Sequence, residues 1–252
     1  MTRVALTQPA PRVERIAERL AARGHDALVL SARRLVALGC PGETAPLAGL
    51  EAFDWVVFVS PGAVEAALGE RDAPWPAAVG IAVIGPGSVQ ALSEHGLSPP
   101  AVRVASPAAP PYDAAALMRE PAFARPAGLR ILVARGEKGR DDWIEGLRAA
   151  GARVEVRTIY RAEPRDPSPE ALAALEAWSR EAAPVVFVFS SGDGIAAADD
   201  LLAARGLGAW ARGQPALAVH PRQADALAAR GWRRARVIEP GERPLVDAIE
   251  SA

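Results

Sequence analysis

The stretch at 56–67, VVFVSPGAVEAA, runs four strand-forming apolar residues into Ser-Pro-Gly and then into helix formers. Nearly the same passage returns at 185–196 as VVFVFSSGDGIA. A short, continuous apolar run bounded by turn residues fits a strand covered on both faces, as in a parallel sheet flanked by helices. Ser60 stands where a helix N-cap belongs, and Pro61 takes the first helical position, where a missing N–H costs nothing. Taken alone, each passage is either an ordinary strand-to-helix connection or half of a binding site.

Working outward, similar apolar runs occur at 4–7, 27–30, 55–59, 81–85, 102–105, 130–134, 154–160, 185–189, 216–219 and 236–239. Helical patterns lie between and after them, at 11–23, 62–68, 87–95, 113–119, 141–150, 169–181, 194–205, 222–230 and 244–251. Strands alternating with helices across short connections imply βαβ crossovers and parallel sheets. Ten strands are many for one open sheet in 252 residues, so two five-stranded domains are expected.

The order of elements also repeats. One kind of unit is strand, polar turn, amphipathic helix, Gly-containing turn and second strand; it occurs at 4–30 and 131–160. In both copies a glycine, Gly24 or Gly151, sits where a left-handed residue ends a helix. The second kind has three strands with helices between and after, and it follows each copy of the first. The stretches 31–46 and 161–169, rich in Pro, Gly and charge, separate the two kinds. If the second short unit completes the first long one, the chain crosses between domains twice. The expected arrangement is a discontinuous α/β domain (1–32 and 165–252), an inserted α/β domain (44–158), and linker strands at 33–43 and 159–164. The two domains then share one topology, and the active site is expected in the cleft between them.

Composition narrows the function. The chain has 29 Lys and Arg against 30 Asp and Glu, so it carries no bulk field for nucleic acid or an anionic membrane. Lys138 is the only lysine, so a cationic site here would be built from arginine, which binds carboxylates bidentately. Cys40 is the only cysteine, and His25, His95 and His220 fall in no metal-binding spacing; no metal is expected. His25 and His95, near helix ends, are expected to be solvated, and Cys40 lies in a linker without a partner base. No basic-then-apolar leader opens the sequence and no apolar run has the length of a membrane span, so a cytoplasmic protein is expected.

The Ser-Pro grammar recurs at other strand ends: Gln8-Pro9, Gly85-Pro86 and His220-Pro221. Each such start leaves unpaired backbone N–H groups at a positive helix end, beyond the carboxyl end of a parallel strand. That rim is where open α/β sheets bind ligands, and helix N-termini there favour anions. Gly62, Gly87, Gly192 and Gly194 would let a ligand approach the backbone. Together these starts suit a ligand with several carboxylates or phosphates. GPGS at 85–88 lacks the third glycine and acidic ribose ligand of a dinucleotide fingerprint, and no phosphate-loop motif exists. No nucleotide cofactor is expected. Ser60 does not read as a hydrolase nucleophile, because G-x-S-x-G is absent.

These motifs in their order resemble the uroporphyrinogen-III synthase family. The resemblance rests on T-x-P at 7–9, F-D-W-V-V-F-V-S-x-x-A-V at 53–64 and I-G-P-x-S at 84–88. It continues through L-V-A-R-G-E-x-G-R at 132–140, IYR at 159–161 and VVFVFSS at 185–191. It implies two α/β domains on a two-stranded linker, a monomer, no cofactor, and a substrate, hydroxymethylbilane, received from the preceding deaminase. It also implies closure of that substrate with inversion of ring D. Tyr160 matches the family's tyrosine beside the hinge and either assists loss of the substrate hydroxyl or only packs there. Ser60 and Ser191 match the serines of the twin motifs and, with Pro61, Gly62 and Gly192, are expected to bind carboxylates. Ser88 either binds a carboxylate or caps its helix, and Arg135 and Arg140 flank a turn from which they could reach the substrate. Two departures stand out: Gln8 where the family often carries Arg, and VHPRQ at 219–223, where His220 and Gln223 replace Gly and Thr. Gln8, His220 and Arg222 are carried as substrate-binding candidates. The rival reading is a two-lobed binding or sensor module for a small polyanion, without catalysis.

Overall fold

The computed structural model describes residues 1–9, 12–38, 47–69, 73–181 and 183–251. Cys40 and the expected domain boundary at 44 lie outside them. The chain divides into two units, one formed by Met1–Leu35 with Glu163–Ala252, the other by Val36–Ala162.

In the first unit the strands β1 (Arg3–Leu6), β2 (Asp26–Val29), β9 (Val185–Phe189), β10 (Pro215–Ala218) and β11 (Arg234–Val237) form one sheet in the order β11-β10-β9-β1-β2. All four pairings are parallel, and β1 lies between β2 and β9, with Val4 opposite Ala27 on one side and Val186 on the other. Alternation sends Val4, Leu6, Val186 and Val188 to one face, where they pack with Val13 and Leu20 of α1 (Arg12–Ala21) and Ile249 of α10 (Glu242–Glu250). Ala5, Phe187 and Phe189 take the other face, against α6 (Pro169–Ser179), α7 (Gly192–Ala204) and α9 (Pro221–Ala229). Trp232 stands edge-on to both Phe187 and Phe189, with ring centroids 5.1 Å apart in each pair. The apolar run 185–189 is continuous because both faces of β9 are covered.

The second sheet comprises β3 (Arg33–Ala37), β4 (Trp55–Phe58), β5 (Gly80–Val83), β6 (Val104–Ala105), β7 (Arg130–Gly136) and β8 (Arg153–Pro164), in the order β3-β8-β7-β4-β5-β6, with β3 and β8 running across the boundaries of the two units. Val56 and Phe58 pack with residues of α2 (Pro61–Leu68) and α3 (Pro86–Glu94); Trp55 and Val57 pack with Leu117 of α4 (Ala114–Leu117) and Ile144 and Leu147 of α5 (Asp142–Ala149). The α/β architecture read from the alternating pattern is thus present, with parallel pairing throughout β4 to β8.

Several details differ from expectation. β3 lies within the linker strand expected at 33–43 but joins the second sheet as a sixth strand, where five were expected; RRLVA has half-buried and exposed positions and no continuous apolar run. The last strand lies at Arg234–Val237 instead of 236–239, and α8 (Gly208–Ala211) was not expected. Gly24 and Gly151 adopt φ of 80° and 91°, the left-handed geometry that ends α1 and α5. The turn at Gly24 folds His25 back, so that its N–H reaches Leu20 C=O. His25 is therefore buried, not solvated, with Nε2 3.9 Å from Glu250. His95 is half-buried between α2 and α3, its Nε2 3.4 Å from Glu65. Asp199 of α7 is buried too: Arg212 binds it through two nitrogens at 3.1 and 2.9 Å, and Arg230 approaches to 3.4 Å. No helix among the described residues is long and apolar enough to cross a membrane.

Candidate functional site

Four helix starts carry the sequence-derived candidates, and each follows the carboxyl end of a parallel strand. After β4, Ser60 is extended at φ −161° and its Oγ accepts from Ala63 N–H at 3.1 Å, with Pro61 at the first helical position. After β9, Ser191 repeats this geometry at φ −155°, accepting from Gly194 N–H at 3.0 Å. A Cβ on Gly194 would lie 2.9 Å from Ser191 Oγ, so that cap closes best over glycine. A Cβ on Gly192 would meet nothing within 4 Å, so the backbone there faces open space. The remaining starts differ. Gly85 has no side-chain cap, and Ser88 behind it is only 3% exposed. His220 caps α9 with an imidazole: Nδ1 accepts from Arg222 N–H at 3.1 Å, which places the proton of the neutral ring on Nε2.

Neighbouring starts within each unit touch. In the second unit a Cβ on Gly87 would be 3.3 Å from Pro61 Cγ, so the starts of α2 and α3 lie side by side. In the first unit Gln223 joins two of them. Its Oε1 accepts from Val219 N–H at 3.0 Å and its Nε2 donates to Ser190 C=O at 2.8 Å. Only one orientation of the amide satisfies both bonds. The turn after β10 is thereby tied to the turn that carries Ser191. Gln8 follows β1 beside them: Thr7 Oγ1 donates to Val188 C=O at 2.7 Å, and Gln8 is 8% exposed. Gln8 Oε1 is buried without a hydrogen-bond partner among the described residues.

Tyr160 meets the Ser60 start directly. Its phenol oxygen is 3.3 Å from Ser60 Oγ, and either hydroxyl can donate. Ile159 and Tyr160, adjacent in sequence, both pack against the Val56–Phe58 face of the sheet. Regular alternation forbids this; a register shift between Arg135 and Gly136 permits it, pairing Arg135 with Thr158 but Gly136 with Tyr160.

The two arginines of the 132–140 motif are engaged locally. Arg135 Nη1 pairs with Asp141, and its Nε is buried without a hydrogen-bond partner among the described residues. Arg140 pairs with Asp142 at 2.8 Å on the surface, and its hydrogen bond holds the Asp142 carboxyl below the usual range. Arg222 is exposed at the second position of α9. Sequence reasoning missed Gln223 and Gly136. The first was visible only as a departure from I-G-P-x-T; the second needs the cross-strand register. No three His, Cys, Asp or Glu side chains cluster as a metal site among the described residues.

The family model described as uroporphyrinogen-III synthase HemD matches residues 14–246. No curated protein matches. Among solved structures, a mutant uroporphyrinogen III synthase from Thermus thermophilus is similar with a TM-score of 0.55 at 20% identity, covering 100% of this chain and 98% of the other. The uroporphyrinogen-III synthetase of Helicobacter pylori is similar with a TM-score of 0.56 at 14% identity, covering 100% and 99%. At these identities the likeness shows a shared two-domain α/β fold.

Proposed function

The chain belongs to the uroporphyrinogen-III synthase family, and on that premise we propose that its helix starts grip the carboxylates of hydroxymethylbilane while the Tyr160 phenol assists loss of the terminal hydroxyl. The activity is that of a cyclising lyase in tetrapyrrole and haem biosynthesis, converting hydroxymethylbilane to uroporphyrinogen III with ring D inverted. The substrate bears an acetate and a propionate on each of four pyrroles. Backbone donors at the Ser60, Gly85, Ser191 and His220 starts suit such a polyanion, because each adds unpaired N–H groups to a positive helix end. The Ser60 and Ser191 hydroxyls, Gln8, Ser88, Arg135, Arg140 and Arg222, and the backbone at Pro61, Gly62 and Gly192, complete the proposed contacts.

In the proposed step the Tyr160 O–H gives its proton to the leaving hydroxyl, the C–O bond breaks, and water departs. The pyrrole electrons follow to give an azafulvenium cation. The substituted α-carbon of ring D attacks the electrophilic carbon of that cation, the spiro intermediate fragments, and reclosure in the inverted sense loses one proton, which returns to the phenolate. The balance is loss of one water with no change of oxidation state. Spontaneous closure gives the uninverted isomer, so holding the chain in a coil that presents the substituted carbon matters more than acid strength. The observation that carries this role is the 3.3 Å contact between Tyr160 and Ser60, the N-cap of α2. Negative charge developing on the phenol would face a hydroxyl and a positive helix end. The enzyme acts as a monomer in the cytoplasm and takes its short-lived substrate from the deaminase that makes it.

The test supplies hydroxymethylbilane from a coupled deaminase and separates the oxidised products. Type III isomer formed faster than spontaneous closure is expected. Type I alone, at the rate of the enzyme-free control, would overturn the proposal and favour a binding module.

A further inference from the structure

We propose that Gly136 is a positioning residue for the reaction, keeping clear the space in which the Tyr160 phenol lies. This rests on the catalytic role proposed for Tyr160, although the geometry is independent of it. A Cβ built on Gly136 would lie 2.7 Å from both Cε2 and Cζ of Tyr160 and 3.1 Å from its Oη. The two 2.7 Å distances are shorter than side-chain carbons show, the 3.1 Å one is tight, and all three fall on the reactive end of the ring. The register shift between Arg135 and Gly136 sets this up by bringing Tyr160 opposite a residue without a side chain. Ser60 bounds the phenol from another strand end, through the contact at its oxygen. The phenol therefore has a two-part seat: a bare backbone patch on β7 and a hydroxyl at the start of α2. Gly136 is needed here for space and not for backbone freedom, because its φ is not positive.

That distinction shapes the test. Gly136→Ala places no strain on the backbone, and what it displaces is the outer end of a half-buried side chain. The ring can swing aside while the sheet stays intact. A displacement of about 1 Å costs a catalytic group up to roughly 100-fold. Gly136→Ala should therefore lower kcat roughly 10-fold or more, with KM within about twofold of the parent.

The experiment measures kcat and KM for Gly136→Ala, Tyr160→Phe and the double variant, each checked for folding by thermal melting. Phenylalanine keeps the ring but has no proton to misplace. If Gly136 acts through the phenol, the double variant should be no slower than Tyr160→Phe alone. A Gly136→Ala loss that multiplies that of Tyr160→Phe, or no loss at all, would overturn the seat. An inert Tyr160→Phe would instead remove the catalytic role of Tyr160, and the seat with it, so the two failures are distinguishable. A second readout does not depend on activity. The chain has two tyrosines, so fluorotyrosine-labelled protein gives two fluorine resonances, with Tyr160→Phe assigning one of them. Gly136→Ala should shift that resonance and leave Tyr112 in place, and Ser60→Ala, which removes the other contact, should shift the same line. An unmoved Tyr160 resonance in both variants would overturn the proposal.

Discussion

Gln223 offers the sharpest separation of stability from substrate grip. Its amide bridges two turns that carry proposed donors, through bonds of 3.0 and 2.8 Å. Each such bond contributes about 0.5–1.5 kcal/mol net, and both partners are half-buried, where water can replace them. Gln223→Ala should therefore destabilise by about 1–2 kcal/mol in total. Gln223→Glu keeps the acceptor for Val219 N–H, and an acid in the first turn of α9 gains about 0.3–1 kcal/mol from the helix dipole. Its second oxygen, however, now confronts Ser190 C=O, acceptor against acceptor. These terms nearly cancel, so Gln223→Glu should stay within about 1 kcal/mol of the parent. Its effect on substrate should be larger, since it releases the Ser191 turn and adds negative charge where carboxylates are proposed to bind. A loss of about 1–2 kcal/mol in binding is a rise in KM of roughly 5- to 30-fold. Urea unfolding and steady-state kinetics on the same preparations give both quantities. The two variants should rank oppositely in the two assays: Ala is the less stable, Glu the poorer binder. A Gln223→Glu enzyme with parental KM would refute the clamp's part in the grip.

Two further outcomes follow from the described contacts. Ser191→Ala removes the cap on Gly194 N–H and should cost about 1 kcal/mol of stability while raising KM; urea unfolding and steady-state kinetics read the two effects, and an unchanged KM would show that the serine is only a cap. At Asp199, burial pushes the carboxyl pKa up, but the hydrogen bonds and charge of Arg212, aided by Arg230, outweigh it and hold the pKa below the ordinary value. A carboxyl whose folded pKa is depressed contributes stability that is present above its unfolded pKa of about 3.9 and lost as pH falls through the folded value. Asp199→Asn should therefore melt well below the parent at neutral pH, with a cost of about 1–3 kcal/mol because both arginines are about a third exposed. That gap should narrow below about pH 3.9, and a gap independent of pH would contradict the assignment.

Strands covered on both faces were legible in the sequence. Runs such as 56–59 and 185–189 are apolar without alternation, and Ser60 caps the following helix as its position implies. β3 was expected as a linker strand but not as a member of the sheet, because an edge strand of half-buried and exposed residues carries no continuous apolar signal. His25 was misread for a related reason: a polar residue after a glycine turn looks solvated, and its burial depends on a turn that folds it back and on a distant helix carrying Glu250. Within the candidate site, each helix start could be read locally from Ser-Pro, Gly-Pro, Ser-Gly or His-Pro. The meeting of Tyr160 with Ser60 and Gly136 could not, since it depends on a one-residue register shift between two strands. Gln223 was visible as a departure from the family pattern, but its partners lie on separate strand ends that only folding brings together.

The central claim is that helix-terminal donors hold carboxylates, and calorimetric titration tests it without turnover. One ligand is the oxidised product with all eight carboxylates; the other is its analogue with the four acetates replaced by methyls. The account predicts that the octacarboxylate binds at least roughly tenfold more tightly, because each acetate lost leaves charge-assisted hydrogen bonds unmade. Equal affinity for the two ligands would contradict it.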